Sequence, residues 1–316
     1  MNVVLTFFLL VLGLVLLIKG SDIFVDASAG IARNFKVPTL IIGLTVMAFG
    51  TSAPEAFIGA RASLDGTAAL AMGNVIGSDI FNLIFIIGIA ALINPMNIRF
   101  KEIARDYWVA ISGPLILLTM MLFFDDVIPR IGGAFFLILF FIYVFVVVKE
   151  ALKNRKEALV EKNVEEEIRP LKWNVLLSVL GLALIILGGE LTVHHAVAIS
   201  ELLGMSARLV GLTIVAIGTS LPELTIVLMA AKRGENELAV GNIIGSSIFN
   251  IMFVLGLSGV IAPLPIEVGL IFDIAFLLVG SLIFLLFILT KKRLSRIEGA
   301  IMVLMYVAYL SYVVFT

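Results

Sequence analysis

Long apolar runs alternate with short polar segments along the whole chain. Before a charged segment at 149–172, five apolar runs lie near 2–20, 39–62, 70–93, 107–124 and 131–149. Five more follow that segment, near 173–193, 207–231, 238–262, 268–290 and 297–315. Because about 20 apolar residues are enough for a helix to cross a bilayer, the pattern predicts an all-α membrane protein with ten transmembrane helices.

The composition supports this prediction and excludes several kinds of chemistry. Hydrophobic residues make up 61% of the chain and charged residues 14%, with a mean hydropathy of +1.16, whereas soluble domains are about 25% charged. The chain has no cysteine, so disulfides and thiolate metal sites are excluded. The first apolar run lacks a basic flank and a small-residue cleavage site, and we therefore expect a retained helix rather than a signal peptide.

The basic residues predict the orientation of the helices. If the 149–172 segment is cytoplasmic, 19 of the 22 lysines and arginines fall on the cytoplasmic side, and only Arg61, Arg130 and Arg208 fall outside. Basic residues concentrate in cytoplasmic loops of membrane proteins. We therefore expect a multi-pass protein of the plasma membrane with both termini outside.

The chain also repeats itself at an offset of 168 residues. The sequence GLTVMAFGTSAPE at Gly43–Glu55 returns as GLTIVAIGTSLPE at Gly211–Glu223, with nine of thirteen residues identical. The sequence GNVIGSDIFN at Gly73–Asn82 returns as GNIIGSSIFN at Gly241–Asn250, with eight of ten identical. Each half has five predicted helices, an odd number, so the second half enters the membrane inverted. This organisation, with residues 1–148 and 173–316 as the two halves, is typical of secondary transporters.

Each repeat carries oxygen-bearing residues inside an apolar run. Glu55 and Glu223 each follow a Thr-Ser pair and a proline, and a proline leaves a carbonyl one turn earlier without its N–H partner. Freed carbonyls can bind a cation, and those of Ala48, Thr51, Ala216 and Thr219 are candidates. Two further pairs are four residues apart and share a helix face: Ser78 with Asn82, and Ser246 with Asn250.

These groups favour a hard cation because they are all oxygen ligands. Ca²⁺ takes about 6–8 oxygens, whereas Mg²⁺ dehydrates reluctantly. Na⁺ is close to Ca²⁺ in size and uses the same oxygens. Two carboxylates at a symmetry axis repel each other in a medium of low dielectric constant, and a bound cation or a proton relieves that repulsion. We therefore predict one pocket that binds Ca²⁺ and Na⁺ in turn.

With these motifs in view, the chain resembles the calcium:cation antiporter superfamily, and within it the sodium/calcium exchangers, over nearly its whole length. The resemblance implies ten helices in two inverted halves, alternating access, and cations bound at the midplane between the second, third, seventh and eighth helices. It implies Ca²⁺ and Na⁺ as transported substrates in a lipid bilayer, without cofactor, enzymatic activity, nucleic acid or protein partner.

The resemblance also assigns roles to particular residues. Glu55 and Glu223 would be the principal Ca²⁺ ligands, together with the carbonyls of Thr51 and Thr219. The Na⁺ sites would use Ser52, Ser78, Ser220, Ser246 and the carbonyls of Ala48 and Ala216, and Asn82 and Asn250 would line the central position. The first and sixth helices would slide across the rest, and their glycines suit a sliding face: Gly13, Gly20, Gly181, Gly188 and Gly189.

Two departures and three alternatives stay open. Some exchangers carry an acid at the position of Asn250, and its absence disfavours K⁺ cotransport. Asp79 stands where the second repeat has Ser247, either as a hydrogen-bonded packing acid or as an extra charge that tunes the site. The alternatives in function are a Ca²⁺/H⁺ antiporter on the same scaffold, a passive cation channel and an intramembrane enzyme. No Ser–His pairing, GxGD motif or zinc motif favours the enzyme.

Overall fold

The computed structural model describes residues 3–34, 48–124, 127–158, 169–234, 236–291 and 293–315. In the first half, the α-helices are α1 Val3–Asn34, α2 Ala48–Thr51, α3 Ala53–Leu64, α4 Ala68–Ile80, α5 Ile87–Ile93, α6 Phe100–Phe123 and α7 Arg130–Ala158. In the second half, they are α8 Leu171–Leu203, α9 Ala207–Val210, α10 Ala216–Thr219, α11 Leu221–Arg233, α12 Asn236–Ile248, α13 Gly256–Ile261, α14 Val268–Lys291 and α15 Arg296–Phe315.

The chain is a mostly helical, multi-pass membrane protein. Among the described residues, eight helices are long and apolar enough to cross a membrane, and a ninth span arises if the bent pair Ala207–Thr219 and Leu221–Lys232 counts as one. The predicted second run, near 39–62, lies partly outside the described residues, which there begin at Ala48.

Several predicted boundaries were wrong. The first helix ends at Asn34 rather than near residue 20, and α8 ends at Leu203 rather than near residue 193. The charged segment predicted from residue 149 begins as helix, since α7 reaches Ala158. Likewise α6 begins at Phe100 rather than near residue 107. In all four cases polar residues end the apolar run without ending the helix, because an ordinary polar residue costs at most about 0.7 kcal/mol in a helix.

Among the described residues, three π-helical segments interrupt the central helices. Phe81–Ile86 joins α4 to α5, Gly211–Val215 joins α9 to α10, and Phe249–Leu255 joins α12 to α13. Such segments are rare and occur frequently at functional sites. The first and third lie in corresponding parts of the two repeats.

Within the residues that the structure describes, two small antiparallel ladders connect the halves of the chain. Strand β1 (Met96–Asn97) pairs with β4 (Arg293–Leu294), and β2 (Val127–Ile128) pairs with β3 (Leu264–Pro265). The apolar pattern did not predict these strands, because two residues are too few to show a period of two.

The two segments that contain the repeated GN motifs lie at the centre of the molecule. In Ala68–Ile93 and Ala239–Ile261, 78% of an apolar stretch of 18 residues is buried. In the other candidate membrane spans the buried share of such a stretch is 22% to 44%. The outer helices expose large apolar side chains, among them Phe141 and Phe145 of α7, as a lipid-facing surface requires. The core therefore surrounds the residues that the sequence singled out.

The glycines of α1 and α8 hold these two helices against each other. A Cβ atom on Gly20 would lie 2.8 Å from the backbone nitrogen of Ile185, and one on Gly188 would lie 2.7 Å from the carbonyl oxygen of Gly13. Gly181 similarly faces Gly20. Of the five glycines expected on a sliding face, only Gly189 faces a helix outside this pair, where it meets the Phe57 side chain of α3. Four of the five glycines expected on a sliding face therefore form the contact within the α1–α8 pair, since small residues let membrane helices approach closely.

Gly77 plays a comparable role where α4 crosses the second half of the chain. A Cβ atom there would lie 2.5 Å from the Leu212 carbonyl oxygen and 2.8 Å from the Ala216 Cβ atom. We expect Gly77→Ala to lower the free energy of unfolding by about 1–3 kcal/mol, the usual cost of overpacking. Gly241→Ala is the control, because its Cβ atom would meet nothing within 4 Å. Thermal unfolding of both purified variants in detergent measures the difference, and equal melting temperatures would contradict this account of the packing.

Candidate cation site

Two helix breaks position the carboxylates that the sequence singled out. Ser52 separates α2 from α3 with φ −94° and ψ 12°, and Ser220 separates α10 from α11 with φ −84° and ψ 6°. In both, a proline stands in the first turn of the following helix and a glutamate follows it: Glu55 in α3 and Glu223 in α11. Proline is tolerated in a first turn, where its missing N–H has no partner in any case. The two glutamates therefore sit directly after a break in the backbone ladder.

The predicted ligands are buried. Glu55 and Glu223 are 0% exposed and Thr51 is 4% exposed. Eight other predicted ligands are also 0% exposed: Ser52, Ser78, Asn82, Ala216, Thr219, Ser220, Ser246 and Asn250. The twelfth, Ala48, is the first residue of α2. Carboxylates are almost never this deeply buried without a compensating partner.

The site brings together residues from both halves of the chain. The Ser52 hydroxyl donates to Glu223 Oε1 at 3.3 Å, and the Thr51 hydroxyl also interacts with that carboxylate. Thr219, the counterpart of Thr51 in the other repeat, faces Glu55 together with Ser78 of the same half as Glu55. Both hydroxyls interact with the Glu55 carboxylate electrostatically, without hydrogen-bond geometry to either of its oxygens.

Further contacts draw the second half towards α4. The Ser78 Oγ atom lies 3.5 Å from the Ala216 carbonyl oxygen and 3.5 Å from Thr219 Oγ1. Glu55 and Glu223 are close enough to repel each other. The two carboxylates therefore share one buried region rather than facing lipid or bulk water.

Many acceptors in this region have no hydrogen-bond partner. They are both carboxylate oxygens of Glu55, Oε2 of Glu223, the Oδ1 atoms of Asn82 and Asn250, and Oγ of Ser220. Each buried acceptor without a partner costs about 1–3 kcal/mol, and more if it is charged. No lysine or arginine is among the buried polar residues in the described ranges. The arrangement therefore fits an external positive charge.

Not every predicted ligand contacts a carboxylate. Ser246 donates its hydroxyl proton to the Ile243 carbonyl oxygen of its own helix at 3.1 Å, which leaves only its lone pairs for a cation. In the described part of the chain no group of three or more His, Cys, Asp or Glu side chains is arranged to hold a metal. A cation here thus depends on two carboxylates and many neutral oxygens.

Two further residues belong to the polar core. Asn74 accepts a hydrogen bond from Thr219 at 3.2 Å through its Oδ1 atom; the repeated GN pair was the signal in the sequence that could have revealed it. Asp79 is 1% exposed, accepts from Nδ2 of Asn250 at 3.0 Å, and interacts with the charge of Glu55. Asp79 is therefore hydrogen-bonded, as a packing acid would be, and it also adds a carboxyl group next to the site.

Comparison with known proteins is consistent with this geometry. The model of the family described as sodium/calcium exchanger protein matches residues 5–149 and 173–315. The chain is 38% identical to the putative antiporter CaxA of Alkalimonas amylolytica over 96% of this chain and 97% of that protein. It is 34% identical to the sodium/calcium exchanger MaX1 of Methanosarcina acetivorans over 96% of this chain and 97% of that protein.

A solved structure is also similar to this chain. The sodium-calcium exchanger NCX_Mj, soaked with 10 mM Na⁺ and 10 mM Sr²⁺, superposes with a TM-score of 0.67 at 34% identity and covers 98% of both chains. Proteins of this group are transporters rather than enzymes, and cations are their substrates rather than cofactors. The present chain belongs to the sodium/calcium exchanger family.

Proposed function

We propose that the protein exchanges Na⁺ for Ca²⁺ across the membrane by alternating access. The cations bind between the second, third, seventh and eighth of the ten predicted transmembrane helices. One observation carries the proposal: Glu55 and Glu223, from opposite halves of the chain, are both fully buried and keep three of their four oxygens without a partner. Their charges need a positive counterpart, and Ca²⁺ or two Na⁺ neutralise them.

The proposed ligands are the residues that the sequence predicts. Glu55 and Glu223 bind Ca²⁺ together with the carbonyls of Thr51 and Thr219. Na⁺ occupies positions formed by four serines and two carbonyls, with two asparagines at the centre: Ser52, Ser78, Ser220, Ser246, the carbonyls of Ala48 and Ala216, Asn82 and Asn250. Since the empty site holds two repelling charges in a medium of low dielectric constant, the cavity is costly without cations, and this cost couples the movement of one ion to that of the other.

We further propose that the chain consists of two inverted five-helix repeats, 1–148 and 173–316, joined by a cytoplasmic segment, with both termini outside the plasma membrane. The breaks at Ser52 and Ser220 and the π-helical segments Phe81–Ile86 and Phe249–Leu255 support this, because each pair is separated by 168 residues or within one residue of that offset. Inverted repeats with interrupted helices form the binding sites of many secondary transporters.

Alternating access requires a part of the protein that moves. We propose that α1 and α8 move together as one unit across the central helices. Their backbones are in contact along Gly13, Gly20, Gly181 and Gly188, which makes separation of the two helices costly. Their spans are only 29% and 28% buried, against 78% for the central helices. A unit with a mostly lipid-facing surface can slide without exposing much of the core.

The proposal is tested with liposomes that contain only this protein. Vesicles loaded with Na⁺ and diluted into Na⁺-free buffer are expected to accumulate ⁴⁵Ca²⁺, and collapse of the Na⁺ gradient is expected to stop uptake. Parallel vesicles carry a pH gradient instead, or no counter-ion gradient. Uptake driven only by the pH gradient would make the protein a Ca²⁺/H⁺ antiporter, and Ca²⁺ flux without any counter-ion would make it a channel. Either result would overturn the proposal.

A further inference from the structure

A second cavity lies beside the proposed cation site, between α4, α6, α12 and α14. It has a volume of about 20 Å³, enough for about one water molecule or ion. Four side chains with oxygen atoms line it, one from each helix: Asp79, Tyr107, Ser247 and Ser281. All four residues are at most 8% exposed. Six apolar residues complete the lining: Leu83, Ala110, Ile111, Pro114, Ile244 and Leu277.

Protein groups satisfy the Asp79 carboxylate only in part. Its Oδ1 atom accepts from Asn250, but its Oδ2 atom is buried and has no hydrogen-bond partner. The hydroxyl of Ser247 interacts with this carboxylate from the facing helix. Glu55 adds a second negative charge nearby. A positive charge in the cavity would offset both the unpaired oxygen and this repulsion.

Two of the three hydroxyl groups that line the cavity offer lone pairs rather than protons. Tyr107 donates its phenolic proton to the Ser281 carbonyl oxygen at 2.5 Å, and Ser281 Oγ donates its proton to the Leu277 carbonyl oxygen at 2.8 Å. A hydroxyl group has one proton and two lone pairs. Since both protons are already used, these two oxygens can only accept, which favours a cation and excludes an anion.

A proline adds a further acceptor to the cavity wall. Pro114 lies inside α6 and has no N–H, so the carbonyl of Ala110, one turn earlier, lacks its helical partner. Both residues line the cavity. The cavity therefore combines one carboxylate with neutral oxygens from four other residues.

We propose that this cavity binds one monovalent alkali cation, separately from the site between Glu55 and Glu223. A single carboxylate neutralises a single positive charge, whereas Ca²⁺ would leave an unbalanced charge in a buried cavity. Oxygen donors are those preferred by hard cations. The proposal does not depend on Ca²⁺ exchange, because it concerns the occupant of the second cavity alone.

Equilibrium binding of ²²Na⁺ to the purified protein in detergent, without Ca²⁺, tests the proposal. Asp79→Asn is expected to bind one Na⁺ fewer per chain than the wild type. Tyr107→Phe and Ser247→Ala each remove one oxygen and are expected to weaken that Na⁺ about tenfold, as loss of a bond to a charged group does. Tyr143→Phe is the matched control, because Tyr143 bonds to Asp106 outside the cavity and its loss should leave Na⁺ binding unchanged.

Two results would overturn the proposal. If Asp79→Asn binds as many Na⁺ as the wild type, the cavity holds only water. If that variant does not fold, unchanged Na⁺ affinity in both Tyr107→Phe and Ser247→Ala leads to the same conclusion. Measurement of ⁴⁵Ca²⁺ binding in the same samples keeps the two proposals apart: a wild-type protein that binds no Ca²⁺ contradicts the exchange function, whatever the Na⁺ difference between the variants.

Discussion

Replacement of either Glu55 or Glu223 by glutamine is expected to abolish Na⁺-driven Ca²⁺ uptake. Glutamine keeps the size of the side chain but removes one of the two charges that balance Ca²⁺. Loss of one partner in a buried ion pair costs about 3–5 kcal/mol, which corresponds to at least about a 100-fold loss of affinity. The two residues occupy equivalent positions in the two repeats, so we expect the same loss from each variant. Initial rates of ⁴⁵Ca²⁺ uptake into proteoliposomes measure the effect.

A glutamate elsewhere in the chain provides the control for this experiment. Glu102 is exposed and, within the described part of the chain, pairs only with Arg99, at 2.8 Å on the surface of α6. Exposed pairs contribute about 0–1 kcal/mol. Glu102→Gln is expected to transport at the wild-type rate. If the Glu55→Gln and Glu223→Gln variants also transport at that rate, the two carboxylates do not bind the transported ion.

A covalent link between α8 and α3 is expected to stop exchange. Glu190 of α8 lies 3.8 Å from Arg61 of α3, measured from Oε1 to Nε. The chain contains no cysteine, so in Arg61→Cys/Glu190→Cys a bifunctional thiol reagent joins only these two positions. If α8 must slide past the central helices in every cycle, linked protein should lose nearly all Ca²⁺ uptake. Cleavage of a reducible linker should restore it.

A second pair of cysteines distinguishes motion of α8 alone from motion of α1 and α8 together. Asp26 of α1 lies 3.0 Å from Arg169, two residues before α8. After cross-linking, the Asp26→Cys/Arg169→Cys variant should take up Ca²⁺ at the rate of the unlinked variant, because the link stays within the moving unit. Loss of transport in this pair would show that α1 and α8 move relative to each other. Full transport by the linked Arg61–Glu190 pair would show that α8 does not move relative to α3.

The sequence indicated the candidate site more fully than it did the fold around it. The 168-residue repeat identified both glutamates and their Thr-Ser pairs, because a duplicated carboxylate in an apolar run has few structural explanations. Helical spacing placed Ser78 and Asn82 on one face but did not identify the opposite residues. The contact from Asn250 to Asp79 and the one from Thr219 to Asn74 therefore emerged only from the structure.

The ends and contact faces of the outer helices were less predictable. Hydropathy detects the part of a helix that lies in lipid, so it missed the last turns of α1, α7 and α8. It also did not distinguish a glycine that permits sliding from one that fixes two helices together. That distinction depends on which backbone faces Gly13 or Gly188, and a pattern along one chain does not contain this information.

The most direct test of the cation site is an anomalous-difference map from crystals of this protein grown with Sr²⁺ in place of Ca²⁺ and without Na⁺. The account predicts one strong peak between the carboxylates of Glu55 and Glu223, with oxygens of both repeats around it. It also predicts that soaking in Na⁺ removes the peak. A peak elsewhere, or none at saturating Sr²⁺, would contradict the claim that these two carboxylates together hold the transported ion.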